Sequence, residues 1–263
     1  MATTEEQLKA LKAVGFEPAA TEARKRLIIS IEGEEGTGKN NLAFTAPSPI
    51  AVLSFDVGLE GVVEKFVTGR GMVADTPVPT KEIMVREYSM PITQTANPDF
   101  DYAGTWAEFT KMYRAALAAR VRTMIWDTAT EVHELLRMLR FKRLTQVMPH
   151  NYGPVNAEYR GLLREAYDSH TNLILLHKMR PEYVNDKSTG RKERAGFRDT
   201  GHNVQVVLKT FREDTEDGSL FSVKVLKCRQ NAQINGKVYE GGMCSFPWLA
   251  VDVLEGSGLE DWE

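Results

Sequence analysis

The sequence predicts an α/β fold: a doubly wound, mostly parallel sheet with antiparallel hairpin strands toward the C-terminus. Three observations carry this expectation. Residues 27–31 are an apolar, mainly β-branched run that leads into a glycine-rich turn and then a short helical segment. Further apolar runs at 50–56, 121–127 and 171–177 are separated by helical periodicity, which is the rhythm of βαβ units. Beyond them, residues 204–211 and 220–227 flank an Asp-Gly turn and read as a hairpin.

The first unit holds the chemistry. The turn is Gly33-Glu34-Glu35-Gly36-Thr37-Gly38-Lys39, followed by Asn40, Asn41 and a helix to about Phe44. Strand, glycine-rich loop and helix in that order are the setting of a Walker A phosphate loop. Glycines let successive backbone N–H groups turn inward onto phosphate oxygens, and Lys39 adds a mobile point charge. Gly33, Glu35, Gly36, Thr37, Gly38, Lys39, Asn40 and Asn41 are therefore the candidate nucleotide contacts. The pattern calls for Ser or Thr where this chain has Asn40. An amide oxygen is able to ligate a hard cation, but it comes with an NH₂ group that the metal cannot use. Phosphate binding is expected to survive the change, while Mg²⁺-dependent hydrolysis is in question.

Residues 1–25 read as a polar appendage with a short helix at 5–14, and residues 26–252 as the core. The second strand, 50–56, ends in an acidic segment with Asp56 and Glu60. Carboxylates at the C-terminal end of a parallel strand face the ligand crevice, and either one is a candidate to orient an attacking water. Four prolines at 77, 79, 91 and 98 make 62–104 irregular, with one strand at 83–88. Trp106, Phe109, Tyr113 and Leu117 recur at helical spacing over 105–120, a stripe for core packing.

Residues 121–127 form an apolar strand ending in Asp127, the Walker B pattern, whose carboxylate serves Mg²⁺. The next residue is Thr128 rather than Glu, which leaves the general base to Glu60 or Asp56. A basic amphipathic helix at 131–145, a loop at 148–154 and a helix at 157–169 follow. The strand 171–177 ends in His177. Residues 181–203 read as a long loop in which Lys187, Arg191, Lys192, Arg194 and Arg198 lie among Asp186, Glu193 and Asp199. A basic loop of this kind suits phosphate-backbone contact. Asn235-Gly236 marks a further turn, and residues 253–263 read as a disordered acidic tail.

The bulk numbers set limits. The chain is 42% hydrophobic and 26% charged, ordinary for a globular protein, with a net charge of −3, so any nucleic-acid contact needs a local basic patch. No apolar run reaches the length of a membrane span, and the N-terminus lacks the pattern of a secretory signal. Cys228 and Cys244 are too few for a disulfide framework and read as small hydrophobes in a reducing, cytoplasmic compartment.

Taken in order, these motifs resemble a RecA-like P-loop ATPase core over roughly residues 26–230. Residues 33–40 resemble its phosphate loop, and Trp126-Asp127-Thr128 its Walker B strand end. His177, before Lys178-Met179-Arg180, stands where that family carries a sensing Gln. The loop around Tyr152 and the 181–203 segment fall where it has its two DNA-binding loops, which makes Tyr152 or Phe197 a stacking residue. Residues 223–229 are similar to the strand whose basic residues reach the nucleotide of a neighbouring subunit, which makes Lys227 and Arg229 candidate trans fingers. Short phrases, Gly-Thr-Gly-Lys, Asp-Thr-Ala-Thr-Glu and Leu-Leu-His-Lys-Met-Arg-Pro, resemble phage-encoded RecA-like proteins of single-strand annealing and recombination. The resemblance implies ATP and Mg²⁺ as cofactors, single-stranded DNA as a partner, a ring or filament of identical subunits, an annealing or single-strand-binding partner protein, and the bacterial host cytoplasm.

Two other readings compete. A nucleotide-gated DNA-binding or assembly protein with little hydrolysis would explain Asn40. A small-substrate P-loop kinase would place the Walker A and Walker B strands side by side.

Overall fold

Residues 27–31 are all buried in the computed structural model, and their side chains are divided between the two faces of a sheet. Leu27, Ile29 and Ile31 enter one apolar layer and Ile28 the other, as expected of a strand covered on both sides. The structure describes residues 3–18, 25–56, 58–73, 76–91, 93–184, 187–216 and 218–263.

The chain opens with α1 (Thr4–Ala13), β1 (Ile28–Glu32), α2 (Lys39–Phe44), β2 (Ile50–Ser54), α3 (Val63–Thr68), β3 (Met72–Val73), β4 (Thr76–Pro77) and β5 (Ile83–Glu87). It continues with α4 (Tyr102–Ala118), β6 (Thr123–Asp127), α5 (Ala129–Phe141), α6 (Tyr152–Asp168), β7 (Asn172–His177), β8 (Met179–Val184) and β9 (Lys187–Arg194). It closes with α7 (Thr200–Asn203), β10 (Val206–Thr215), β11 (Gly218–Cys228), β12 (Val238–Glu240) and α8 (Phe246–Val253).

The main sheet runs β12-β11-β10-β1-β7-β6-β2-β5. Neighbours from β10 to β5 are parallel. β11 and β12 add on antiparallel. The expected α/β class, with its mostly parallel sheet and C-terminal antiparallel strands, is what the chain adopts. β7 lies between β1 and β6, so the phosphate-loop strand and the Asp127 strand are not neighbours. That order counts against the kinase reading. The aromatic stripe of α4 is core, with Phe109 and Tyr113 packed against Trp126 and Trp106 stacked on Phe109. No described helix is long and apolar enough to cross a membrane.

Four expectations need correction. The 62–104 stretch is more ordered than its prolines suggest: besides the expected strand, β5, it holds α3 and the β3–β4 pair. The 181–203 segment is not a long loop. Most of it is an antiparallel ribbon, β8 paired with β9, followed by α7. A two-stranded ribbon exposed on both faces needs no apolar alternation, so its charged sequence hid it; Asp186 lies outside the described residues. The loop at 148–154 is a 3₁₀ turn, Pro149–Asn151, that runs into α6, with Pro154 in the first helical turn, where a missing N–H costs nothing.

The acidic tail, finally, folds back onto the core. Trp262 is fully buried, its ring centroid 5.9 Å from that of Phe246 and its indole N–H donating to Ser257 Oγ at 3.0 Å. Lys25 pairs with Asp261 at 2.7 Å. At the other end, α1 is a capped helix with no buried residue; residues 1–2 and 19–24 of that segment lie outside the described residues.

Candidate nucleotide-binding site

The loop between β1 and α2 stands at the C-terminal edge of the parallel strands. All three of its glycines are required by geometry. A Cβ on Gly33 would sit 2.1 Å from Thr210 Oγ1, and Gly36 and Gly38 have φ of 72° and 85°, in the left-handed region. Thr37 closes the loop, donating to Glu34 O at 2.8 Å and sharing a hydrogen bond with Thr210 Oγ1 at 2.7 Å. The Lys39 ammonium donates to Gly33 O at 2.9 Å and Glu34 O at 2.7 Å. Burial lowers its pKa, against the pull of Asp127, Asp56, Glu34 and Glu35. Two loop carbonyls thus hold a cation in a place where anionic oxygens would serve it better. Glu35 is exposed on the loop. Asn41 lines a cleft of about 220 Å³ with Thr37, Gly38, Leu42, Lys65 and Phe221.

Acidic groups gather on the neighbouring strand ends. Asp127 ends β6 and is 2% exposed; its Oδ2 accepts from Asn40 Nδ2 at 3.2 Å. Burial, then the charge of Asp56, pushes the Asp127 carboxyl up to about 7, against the Asn40 hydrogen bond and Lys39. Asp56 follows β2, and its backbone N–H donates to Asp127 O at 3.2 Å. Glu131, in the first turn of α5, accepts from the Thr128 hydroxyl and pairs with Lys178. Burial raises the Glu131 pKa despite that lysine. The fold therefore brings Lys39, Asn40, Asp56 and Asp127 together. Glu60 stands apart, exposed in the turn before α3.

His177 ends β7 in register with Glu32 of β1. It is fully buried, with Nδ1 3.1 Å from Ala195 O. Burial, then Arg194, depresses its pKa to about 3, so the ring is neutral and its Nδ1–H donates to the carbonyl at the foot of the β8–β9 ribbon. Ion pairs also tie that ribbon to the phosphate loop. Lys192 reaches Glu34 at 2.8 Å, and Arg194 lies 3.6 Å from Glu32.

The residues read as DNA contacts divide accordingly. Lys187, Arg191 and Arg198 are exposed, whereas Lys192 faces Glu34 of the loop and Arg194 faces Glu32 at the end of β1. Tyr152 starts α6, half-buried, and its hydroxyl accepts from Arg137 at 3.0 Å. Phe197 is unable to stack on a base: it is 1% exposed, between the rings of His133 and Tyr159.

Lys227 and Arg229 lie at the opposite end of the sheet. Cys228 is level with Val206, and Val206 with Ile29, at the start of β1. The phosphate loop begins four residues further along, ~13 Å away at strand rise. Lys227 donates to Gly201 O and, at 3.1 Å, to Val204 O; Arg229 donates to His202 O.

Three contributors went unforeseen. Glu131 had a signal in the sequence, since it lies four residues after Asp127 where a helix starts. Arg212 and Phe221 had none. They sit on facing strands of the β10–β11 hairpin, which overhangs the loop: a Cβ on Gly38 would meet the Phe221 ring at 3.2 Å, and one on Gly36 would lie 3.8 Å from Arg212 Nη1.

The chain matches no protein-family model and is similar to no curated protein. Among solved structures it is similar to a KaiC-like protein from the hyperthermophilic archaeon Pyrococcus horikoshii OT3, at 14% identity and a TM-score of 0.48. The alignment covers 83% of this chain and 86% of that one.

Proposed function

We propose that this chain is a RecA-like P-loop protein that binds ATP with Mg²⁺ and acts on single-stranded DNA, in the manner of phage recombination and annealing ATPases. One observation carries the nucleotide half: Lys39, Asn40 and Asp127 converge at the C-terminal edge of a parallel sheet whose loop strand and acid strand are separated by β7. The residues fit a nucleotide phosphate, because among the described residues the Lys39 ammonium is bonded to loop carbonyls alone. They also fit a hard cation. Asn40 and Asp127 already touch at 3.2 Å, and a turn of the Asn40 amide presents its oxygen in place of its NH₂ group. Mg²⁺ held there would neutralise charge on the phosphates.

Asp56 is the better placed of the two candidate bases, since it lies in the field of Asp127, Lys39 and Lys178 while Glu60 faces solvent. His177 links the strand end to the β8–β9 ribbon through Ala195, which supports a role in passing the nucleotide state to that ribbon. Lys227 and Arg229, at the far end of the sheet, are out of reach of this chain's own phosphate loop, so a role as fingers presumes a homo-oligomer.

A second reading has its own observation. The Asn40 amide donates to Asp127, so the two metal-ligand candidates satisfy each other. This favours a nucleotide-gated DNA-binding protein with little turnover.

ATP turnover with and without single-stranded DNA, in the parent and in Lys39→Ala, separates the two. DNA-stimulated hydrolysis lost in the variant supports the ATPase. ATP binding without turnover, together with DNA affinity that responds to ATP, supports the gated protein. The absence of any ATP binding ends both.

A further inference from the structure

Among the described residues, positive charge with little acidic compensation collects at the edge away from the phosphate loop. A cleft of about 730 Å³, the volume of a cube roughly 9 Å on a side, opens between the C-terminal half of α6, α7 and the end of β11. Arg160 and Arg164 project into it from one face of α6, a helical turn apart. Arg229 enters from beyond β11. Arg26 forms the floor, bonded to Gln205 Oε1 at 3.0 Å and Tyr167 O at 2.7 Å, with its guanidinium over the Tyr167 ring.

The acceptors explain why this cleft differs from the β8–β9 ribbon. On the ribbon, Arg180, Lys192 and Arg194 each face a carboxylate: Glu193, Glu34 and Glu32. In and beside the cleft, among the described residues, Arg229 and Lys227 bind neutral carbonyls and Arg160 has no ion pair. Among the described residues the one acid lining the cleft, Asp168, reaches Arg164 at 3.8 Å with both side chains largely in solvent. Such a surface pair neutralises little. In a chain of net charge −3 this is, among the described residues, a concentration of weakly compensated positive charge.

We infer that this cleft binds the phosphodiester backbone of single-stranded nucleic acid, on a path separate from the β8–β9 ribbon. Guanidinium forks match phosphate oxygens two at a time. A volume of about 730 Å³ has room for phosphate groups of one strand. The inference deepens the DNA half of the proposed function and rests on it; the nucleotide half stands apart.

The test is fluorescence anisotropy with a labelled oligothymidylate at a series of KCl concentrations, using the full chain with ATP and Mg²⁺. Arg160→Glu with Arg164→Glu is compared with Lys187→Glu with Arg191→Glu, an equal change of charge on the ribbon. All four residues are exposed, so folding is preserved. The cleft pair is expected to lose at least about tenfold in affinity and the ribbon pair less. Each phosphate contact to a single strand contributes about 0.7 to the slope of log K against log salt, so the slope should become shallower by about 1.4. Affinity equal to the parent's overturns the inference. So does unchanged DNA affinity with lost ATP turnover, which would assign the cleft to a neighbouring copy's nucleotide. A parent that binds no oligonucleotide overturns it together with the DNA half of the proposed function, while ATP binding that depends on Lys39 would still stand.

Discussion

His177→Gln is expected to remove a pH-dependent loss of stability. In the fold His177 is fully buried, and its pKa is depressed to about 3 by burial and by Arg194. In the unfolded chain the ring titrates near 6.5. Above that pH the ring is neutral in both states and adds no slope. As pH falls through 6.5 the unfolded chain takes up a proton that the fold refuses, so stability drops, and the drop ends only near the folded value. From pH 7.5 to 5.0 the loss from this one ring is about 2 kcal/mol. Glutamine does not titrate, and its amide is able to donate to Ala195 O in the ring's place. Buried carboxylates such as Glu32, Glu131 and Asp127 push stability the other way, because their folded pKa values are raised. They are common to both proteins and cancel in the difference. Urea unfolding of parent and variant at the two pH values measures it. The parent should lose about 2 kcal/mol more than the variant. Equal losses would mean that the ring titrates normally, and the closed contact between β7 and the foot of the ribbon would be wrong.

Three other expectations concern the site and its support. Asn40→Thr restores a hydroxyl beside Asp127 and should raise ATP turnover at least about tenfold, ~1.4 kcal/mol in the barrier, under the gated reading; turnover no faster than the parent's counts against that reading. Phe221→Ala opens the roof over Gly38 and should weaken ATP binding by roughly fivefold or more, the scale of a lost aromatic stacking surface, as read by titration calorimetry; unchanged affinity removes Phe221 from the site. Trp262→Ala should cost ~3–5 kcal/mol in urea unfolding, the range for a large aromatic deleted from a core, whereas a free acidic tail would show almost no effect.

The phosphate loop and the strand that feeds it were legible because their signals are local. Glycine spacing, a β-branched run and a lysine at a helix start all lie within a few residues of one another. The four central strands were legible for the same reason: β1, β2, β6 and β7 are buried on both faces, and burial of that kind writes a continuous apolar run. What escaped depends on partners far away in the chain. The β8–β9 ribbon is charged on both faces, so no periodicity announced it. Trp262 looked like part of a polar tail, since its partners Phe246 and Ser257 give no signal of burial. Phe221 and Arg212 reach the loop only through the length of a hairpin whose pairing register the residues do not reveal. The arginine cleft is the extreme case: residues 26, 160, 164 and 229 share no motif and meet only in the fold.

The central claim is that the Gly33–Asn40 loop holds the phosphates of ATP with Lys39 as its cation. Equilibrium titration of ATP with Mg²⁺ into the parent and into Lys39→Ala tests it most directly. Saturable binding by the parent, weakened at least about tenfold in a variant that unfolds normally, is the expected result, since a hydrogen bond to a charged group is worth ~1.5–3 kcal/mol. Equal affinity in the two proteins, or no binding by the parent, would contradict the account.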